Sequence, residues 1–251
     1  MNTVADYGEY ISLFHLDHII YIIGLVVIAS AFFLNITFVK KHKTVITTIV
    51  VIIIIAQQIL LYSGYYFATG DGSGFDLSEV LPLHLSRINS ILGLLFLLTR
   101  NRQVFSILTM FSLFAILSFI YPSQVYGITH PIGISFFVNH IVTLLLPFYG
   151  IIAYNMKIKP HDSLRALPWF IMYVAVAYIT NQLTGGNYFY LRDKPVFANL
   201  PDVIYIPLSI VFAFVLFKLG EIMYRKLRPI LIKKRPSIIK IEGLNIILLL
   251  L

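Results

Sequence analysis

The stretch Leu81-Pro-Leu-His-Leu-Ser-Arg-Ile-Asn-Ser90 places a histidine, an arginine, an asparagine and two serines at the start of a long apolar run. Arg87 is the only Lys or Arg that falls inside an otherwise apolar segment, well away from either end. An ionisable side chain at membrane depth costs from about 2.5 to about 17 kcal/mol, so it generally faces a bundle interior or a wet cavity. The stretch therefore predicts a buried polar site at the head of a membrane helix.

The composition of the chain is that of an integral membrane protein. Of its 251 residues, 59% are hydrophobic and 12% are charged, whereas soluble domains carry roughly 25% charged residues. One bilayer crossing takes about 20 apolar residues. We therefore predict an all-α integral membrane protein with seven transmembrane helices in a single domain over 1–223. The seven apolar windows are 18–39, 45–67, 80–99, 103–121, 132–154, 166–184 and 203–223.

The basic residues responsible for the net charge of +8 follow the predicted topology. Lys and Arg cluster on alternate connections, while the two cations Arg192 and Lys194 lie on the opposite side. Because cytoplasmic connections are enriched in Lys and Arg, we predict an external N-terminus, a cytoplasmic C-terminus and a cell (plasma) membrane location. Residues 224–251 are predicted to form a basic, interfacial cytoplasmic tail attracted to anionic lipid. No nucleic-acid partner is expected, because topology accounts for the charge.

Polar side chains recur at one depth on three of the predicted helices. In the predicted topology they all fall in the outer half of the bilayer, and polar groups at a shared depth predict one shared pocket. Both faces of the third helix are polar at its outer end, so we expect that end to lie at the centre of the bundle. The residues concerned are His84, Ser86, Arg87, Asn89, Asn139, His140, Thr180 and Asn181.

Three kinds of chemistry fit these residues, and the residues alone do not decide among them. In nucleophilic catalysis, His140 or His84 is the general base for Ser86, and a nearby arginine or amide stabilises an oxyanion. A zinc site would use His84, His130 and His140, but no Asp or Glu accompanies them inside the membrane and HExxH spacing is absent. In the third interpretation, the same side chains form hydrogen bonds that specify helix packing.

Three motifs resemble the YwaF-like family of bacterial multi-pass membrane proteins. They are Leu81-Pro-Leu-His-Leu-Ser86, Asn139-His140 and Asn187-Tyr-Phe-Tyr-Leu-Arg-Asp-Lys-Pro195. The same superfamily includes eukaryotic transmembrane lipid acyltransferases, and it is similar in layout to the androgen-induced intramembrane fatty-ester hydrolases. The resemblance covers roughly 10–223. It implies a seven-helix fold and lipid acyl transfer or ester hydrolysis by a nucleophile and a histidine on separate helices. The family's nucleophile position, commonly a cysteine, corresponds to Ser86, and the later histidine corresponds to His140.

The leading hypothesis is a membrane-embedded lipid acyltransferase or esterase that acts on lipid acyl esters from the outer leaflet. Ser86 is the predicted nucleophile, His140 the base and then acid, and His84 a further catalytic residue. The alternative is a non-catalytic protein, or a partner subunit, that binds a lipid or small molecule in the same pocket. Membrane lipid is the expected partner, no cofactor or resident metal is expected, and protein partners and oligomeric state stay open. The predicted binding residues are Arg87, Asn89, Asn139, Asn181, Tyr188 and Tyr190.

Overall fold

Apolar runs rich in Ile, Leu, Val and Phe form helices throughout the part of the chain that this computed structural model describes, residues 5–67 and 75–232. In a bilayer no water is available to the backbone, so helix is favoured even for the β-branched run at 45–55. An all-helical membrane protein, as predicted, is confirmed. The helices are α1 (Leu16–Leu34), α2 (Ile36–Lys41), α3 (Lys43–Phe67), α4 (Leu85–Thr99), α5 (Arg102–Phe111), α6 (Phe114–Ile120), α7 (Pro131–Tyr154), α8 (Asp162–Thr184) and α9 (Asp202–Ile232).

Six helical stretches among the described residues are long and apolar enough to cross a bilayer. One of the six is formed by α5 and α6 together, which are separated at Ser112 and Leu113. The third predicted crossing is shorter than expected, because α4 begins at Leu85 rather than at residue 80 and contains 15 residues. Pro82 lies just before it and disfavours helical geometry in the residue that precedes it. A seventh crossing therefore depends on this short helix.

The last helix is longer than its predicted window. α9 contains 31 residues and continues to Ile232 instead of ending at 223. At 1.5 Å per residue it is about 46 Å long, which exceeds the hydrocarbon core of about 30 Å. The predicted start of the tail at 224 thus falls inside a continuous helix. The rest of that predicted tail, 233–251, lies outside the described residues.

α7 is the central helix of the bundle. Its most apolar window is 78% buried, compared with 17% to 61% for the other five candidate crossings, and it contacts α1 to α6 and α9. At Gly133 the backbone of Tyr126 and Gly127 packs directly against α7, and a β-carbon at this position would collide with it. The connection that precedes α7 can therefore cross its first turn.

The two ends of the bundle are held together differently. We call the end where α1, α4, α7 and α9 begin the upper end, and the opposite end the lower end. At the lower end, the buried Asp162 accepts hydrogen bonds from Arg102 Nη1 at 2.8 Å and Nη2 at 3.2 Å, which joins α8 to α5. Glu221 accepts from Ser163 N at 3.0 Å and Oγ at 2.7 Å, which joins α9 to α8.

At the upper end, the segment that precedes α1 covers the helix ends. Ile11 N donates to Val125 O at 2.8 Å, so this segment pairs with the connection between α6 and α7. The buried carboxylate of Asp17 accepts from Ala5 N at 2.7 Å and from Ile128 N at 2.9 Å. The upper end is therefore roofed by backbone segments that are hydrogen-bonded to one another.

Candidate functional site

A cavity of about 710 Å³ lies in the upper half of the bundle, among α4, α6, α7 and the start of α9. Its volume falls within the range of about 300–1,000 Å³ that is typical of ligand pockets. Of the predicted site residues, Asn181 and Tyr188 do not line it. The predicted residues that do line it are His84, Ser86, Arg87, Asn89, Asn139, His140 and Tyr190.

Hydrogen bonds of Asn139 join α7 to α4 beside the cavity. Its Nδ2 donates to Ser86 O at 3.2 Å, and its Oδ1 accepts from Ser90 Oγ at 2.7 Å. The amide that was predicted to bind substrate is therefore engaged by α4 at both of its polar atoms. Because His140 follows directly in the chain, these bonds bring its turn of α7 next to the turn that carries Ser86.

His140 is held in the form that a general base requires. Its Nδ1 lies 2.8 Å from Phe136 O. A carbonyl oxygen can only accept, so Nδ1 carries the proton and Nε2 of the neutral ring keeps its lone pair. Nε2 has no hydrogen bond to any other described residue, and His140 lines the cavity. A proton acceptor is thus available to a group bound there.

Ser86 and His84 also present unbonded polar atoms to the cavity. The Ser86 hydroxyl makes no hydrogen bond within 5–67 and 75–232, since only its backbone carbonyl is engaged. His84 caps the start of α4 without a side-chain hydrogen bond and meets the Tyr188 ring edge-on at 5.1 Å between centroids. The cavity therefore holds a hydroxyl and two imidazoles that are not bonded to one another.

Arg87 is engaged mainly with the protein itself. It is 5% exposed, and its Nη1 donates to Glu79 O at 2.6 Å and Leu81 O at 2.7 Å. Its Nη2 donates to the Tyr65 hydroxyl at 2.5 Å. The guanidinium thus folds the connection before α4 over the head of that helix, and three of its five N–H donors are used in doing so. This explains why the bundle retains an expensive cation at this depth.

Asn181 and Tyr188 hold the connection between α8 and α9 in place. Asn181 Nδ2 donates to Tyr188 O at 2.9 Å, and its Oδ1 accepts from Tyr188 N at 2.8 Å. The Tyr188 hydroxyl donates to Leu77 O at 2.7 Å and accepts from Leu81 N at 3.0 Å. Both residues were predicted to bind substrate. Their contacts instead position the connection between α8 and α9 against the connection before α4. Tyr190, which lines the cavity, donates to Ser123 O at 2.7 Å.

Asn89 retains unused hydrogen-bonding capacity. It is 2% exposed, and its Oδ1 is buried without a partner among the described residues. An unpaired buried acceptor of this kind costs about 1–3 kcal/mol. Because Asn89 lines the cavity, a bound group that donates to it would recover that free energy.

The described residues contain no group of three or more His, Cys, Asp or Glu placed to hold a metal ion. His130, one of the three histidines of the zinc alternative, does not line the cavity. It accepts from Ile132 N at 3.2 Å and stacks on Tyr126 with centroids 4.3 Å apart. Its position is that of a cap at the start of α7.

The apolar side of the cavity was not predicted from the sequence. Ile120 of α6 and Leu208 and Phe212 of α9 line it, and they are 60%, 43% and 49% exposed. The cavity therefore reaches the lipid-facing surface between α6 and α9. These residues are indistinguishable by type from ordinary lipid-facing side chains, and only the packing separates the two groups.

These features define a multi-pass α-helical membrane protein with a ligand-sized cavity inside the bundle. The profile of the TMEM164 family matches residues 12–224. The match covers most of the chain and includes the whole polar wall of the cavity, and the protein belongs to the TMEM164 family. Neither a curated protein nor a solved structure matches the chain.

Proposed function

We propose that the protein is a membrane-embedded lipid acyltransferase or esterase that binds a lipid acyl ester in the cavity. The observation that carries the proposal is the joint presence, in one cavity that reaches lipid, of an unbonded Ser86 hydroxyl and an oriented His140 whose Nε2 is free. The resemblance of the Leu81–Ser86 and Asn139–His140 motifs to the YwaF-like family, whose superfamily includes lipid acyltransferases, supports the same chemistry.

The reaction has two steps. Ser86 Oγ attacks the ester carbonyl carbon while His140 Nε2 takes the hydroxyl proton. The tetrahedral intermediate then expels the lipid alcohol, which leaves with that proton, and the acyl group remains on Ser86. In the second step a lipid hydroxyl or water attacks the acyl-serine and gives its proton to His140. The proton returns to Ser86 Oγ as the product ester or free acid leaves.

Asn89 and His84 complete this polar wall. The carbonyl oxygen of the substrate becomes an oxyanion in both steps and needs a hydrogen-bond donor nearby. The ring of His84 makes no side-chain hydrogen bond in the described part of the chain, so we assign its N–H to this oxygen. The unpaired Oδ1 of Asn89 can only accept, so we assign it to the attacking hydroxyl. Arg87, Asn139, Asn181 and Tyr188 position the wall, and Tyr190 borders the ligand.

We also propose that α4 completes seven crossings, with the upper end external and the lower end cytoplasmic at the plasma membrane. The placement of basic residues at the lower end, such as Lys43, Arg100 and Arg165, supports this orientation. In this arrangement the cavity faces the outer leaflet, because it lies in the upper half of the bundle.

The test is acyl transfer or release from phospholipid by the purified protein in nanodiscs. Ser86→Ala and His140→Ala should each lower turnover by about 10²–10⁴-fold, and an acyl adduct on Ser86 should be detectable by mass spectrometry in the wild type and strongly reduced in His140→Ala. Ser63→Ala and His42→Ala, which replace the same residue types outside the cavity, should leave turnover unchanged. Turnover that persists in both active-site variants would exclude Ser86 and His140 as the catalytic pair.

Non-catalytic lipid binding is the second candidate. It is favoured by one observation, the absence of a hydrogen bond between the Ser86 hydroxyl and any described histidine. Saturable lipid binding by the wild type, with no turnover and no adduct on Ser86, would support this candidate over catalysis.

A further inference from the structure

The cavity has an apolar arm that leaves the polar wall and runs between α6 and α9. On α9 it is lined by Tyr205, Leu208 and Phe212, and on α6 by Phe114 and Leu117, among others. Spacings of three and four residues put side chains on one face of a helix. Each helix therefore turns one continuous face toward the arm.

The lower limit of the arm is aromatic. Phe114 and Phe212 are the lining residues of α6 and α9 that lie farthest from the upper end, and their ring centroids are 6.3 Å apart in an edge-on arrangement. Beneath them Phe170 and Phe217 are fully buried, and Phe114 stacks on Phe170 at 5.4 Å. The arm thus ends on a packed cluster of rings.

The chemistry of the arm selects its ligand. The α6 and α9 residues that line it carry no charge; the charged Glu79, Arg87 and Asp193 belong to the connections and the head of α4. The arm is not sealed by packing, since Leu208 and Phe212, in the apolar span of α9, are 43% and 49% exposed. A ligand that enters here comes from the hydrocarbon phase and is itself long and apolar.

We propose that this arm is the acyl-chain subsite of a membrane lipid, and that Phe114 and Phe212 set the longest chain it accepts. A chain bound in the arm places its ester group near Ser86 and His140. The inference rests on the proposed function only for the reaction of that ester. Occupancy of the arm by the chain requires no catalysis.

The experiment uses phospholipids that carry a photoreactive group at the end of one acyl chain, in a series of increasing chain length, with the full-length protein in nanodiscs. In the wild type, crosslinks from chains up to a limiting length should map to α6 and α9. Phe212→Ala should extend that limit, raising the labelling ratio of longer to shorter chains by about 10-fold or more, as one methylene in an apolar pocket discriminates. Phe114→Ala should act in the same direction.

Leu208→Trp tests the arm in the opposite direction and does not depend on tolerance of a deletion in the aromatic cluster. The added indole at the lateral opening should abolish labelling of α6 and α9 at every chain length. Matched controls are Leu219→Trp and Phe38→Ala, whose side chains are 60% and 58% exposed to lipid outside the cavity. Both should retain the wild-type chain-length profile.

The outcome for the arm is separable from the outcome for catalysis. The labelling series is repeated in Ser86→Ala, where the wild-type profile is expected to persist. Profiles of Phe212→Ala and Leu208→Trp that match their controls would overturn the acyl-chain subsite, even if turnover still depended on Ser86. Turnover that persists in Ser86→Ala and His140→Ala, together with intact chain-length selection, would instead refute the proposed catalysis and leave the subsite standing.

Discussion

Replacement of Arg87 by methionine removes three hydrogen bonds from the head of α4 and keeps a long apolar side chain. A hydrogen bond that involves a charged group contributes about 1.5–3 kcal/mol, and the 5% exposure of Arg87 leaves little room for water to replace it. Removal of a buried charge recovers part of this loss, as its desolvation penalty disappears. We therefore expect a net loss of about 3–5 kcal/mol, which is less than the sum of the three hydrogen bonds.

For a protein of this size, that loss corresponds to a fall in Tm of roughly 6–20 °C. The measurement is thermal unfolding in nanodiscs, followed by the helical circular-dichroism signal. Arg87→Lys, which keeps the charge but not the planar fork, should fall between wild type and Arg87→Met. Lys41→Met, which replaces an exposed cation of α2, is the control. A stability of Arg87→Met within about 0.5 kcal/mol of wild type would refute the assignment of Arg87 as the group that holds the connection before α4.

Two further predictions concern the connections at the upper end of the bundle. Gly133→Ala should lower Tm in the same assay, because the new β-carbon meets the backbone of Tyr126 and Gly127 and overpacking costs about 1–3 kcal/mol; an unchanged Tm would contradict this close approach. Burial raises the pKa of the Glu79 carboxyl, so the folded protein holds this proton more tightly than the unfolded chain and stability falls as pH rises through that pKa. Glu79→Gln should therefore be more stable than wild type at neutral pH and nearly equal to it below about pH 4, and a difference that does not vary with pH would contradict the argument.

The polar wall of the cavity could be predicted from the sequence because polar residues stand out in apolar runs. Ser86, Asn139 and His140 share a cavity as their common depth indicated. Their partners could not be predicted in the same way. The acceptors that hold Arg87 are main-chain carbonyls of Glu79 and Leu81, and every residue has such a carbonyl, so the sequence contains no sign of the contact.

Hydropathy also misplaced two helix boundaries for physical reasons. The window that began at residue 80 included apolar residues around Pro82, which are apolar but not helical. The window that ended at 223 stopped before Arg225 and Arg228, yet α9 continues to Ile232. Arg225 pairs with Glu221 at 3.7 Å, and Arg228 Nε donates to Met156 O at 3.1 Å. A hydropathy window measures transfer to lipid and takes no account of proline geometry or of charges that are paired.

The contact between Glu221 and Ser163 anchors α9 at the lower end, opposite the lipid entrance. A change in the angle of α9 would pivot about this contact. Leu208, at that entrance, lies about 20 Å along the helix axis from Glu221. If α9 tilts by about 5° at this contact, Leu208 moves by about 2 Å, because it lies about 20 Å from the pivot. The width of the opening at Leu208 can therefore vary by about the breadth of a methylene group while the contact between Glu221 and Ser163 stays intact.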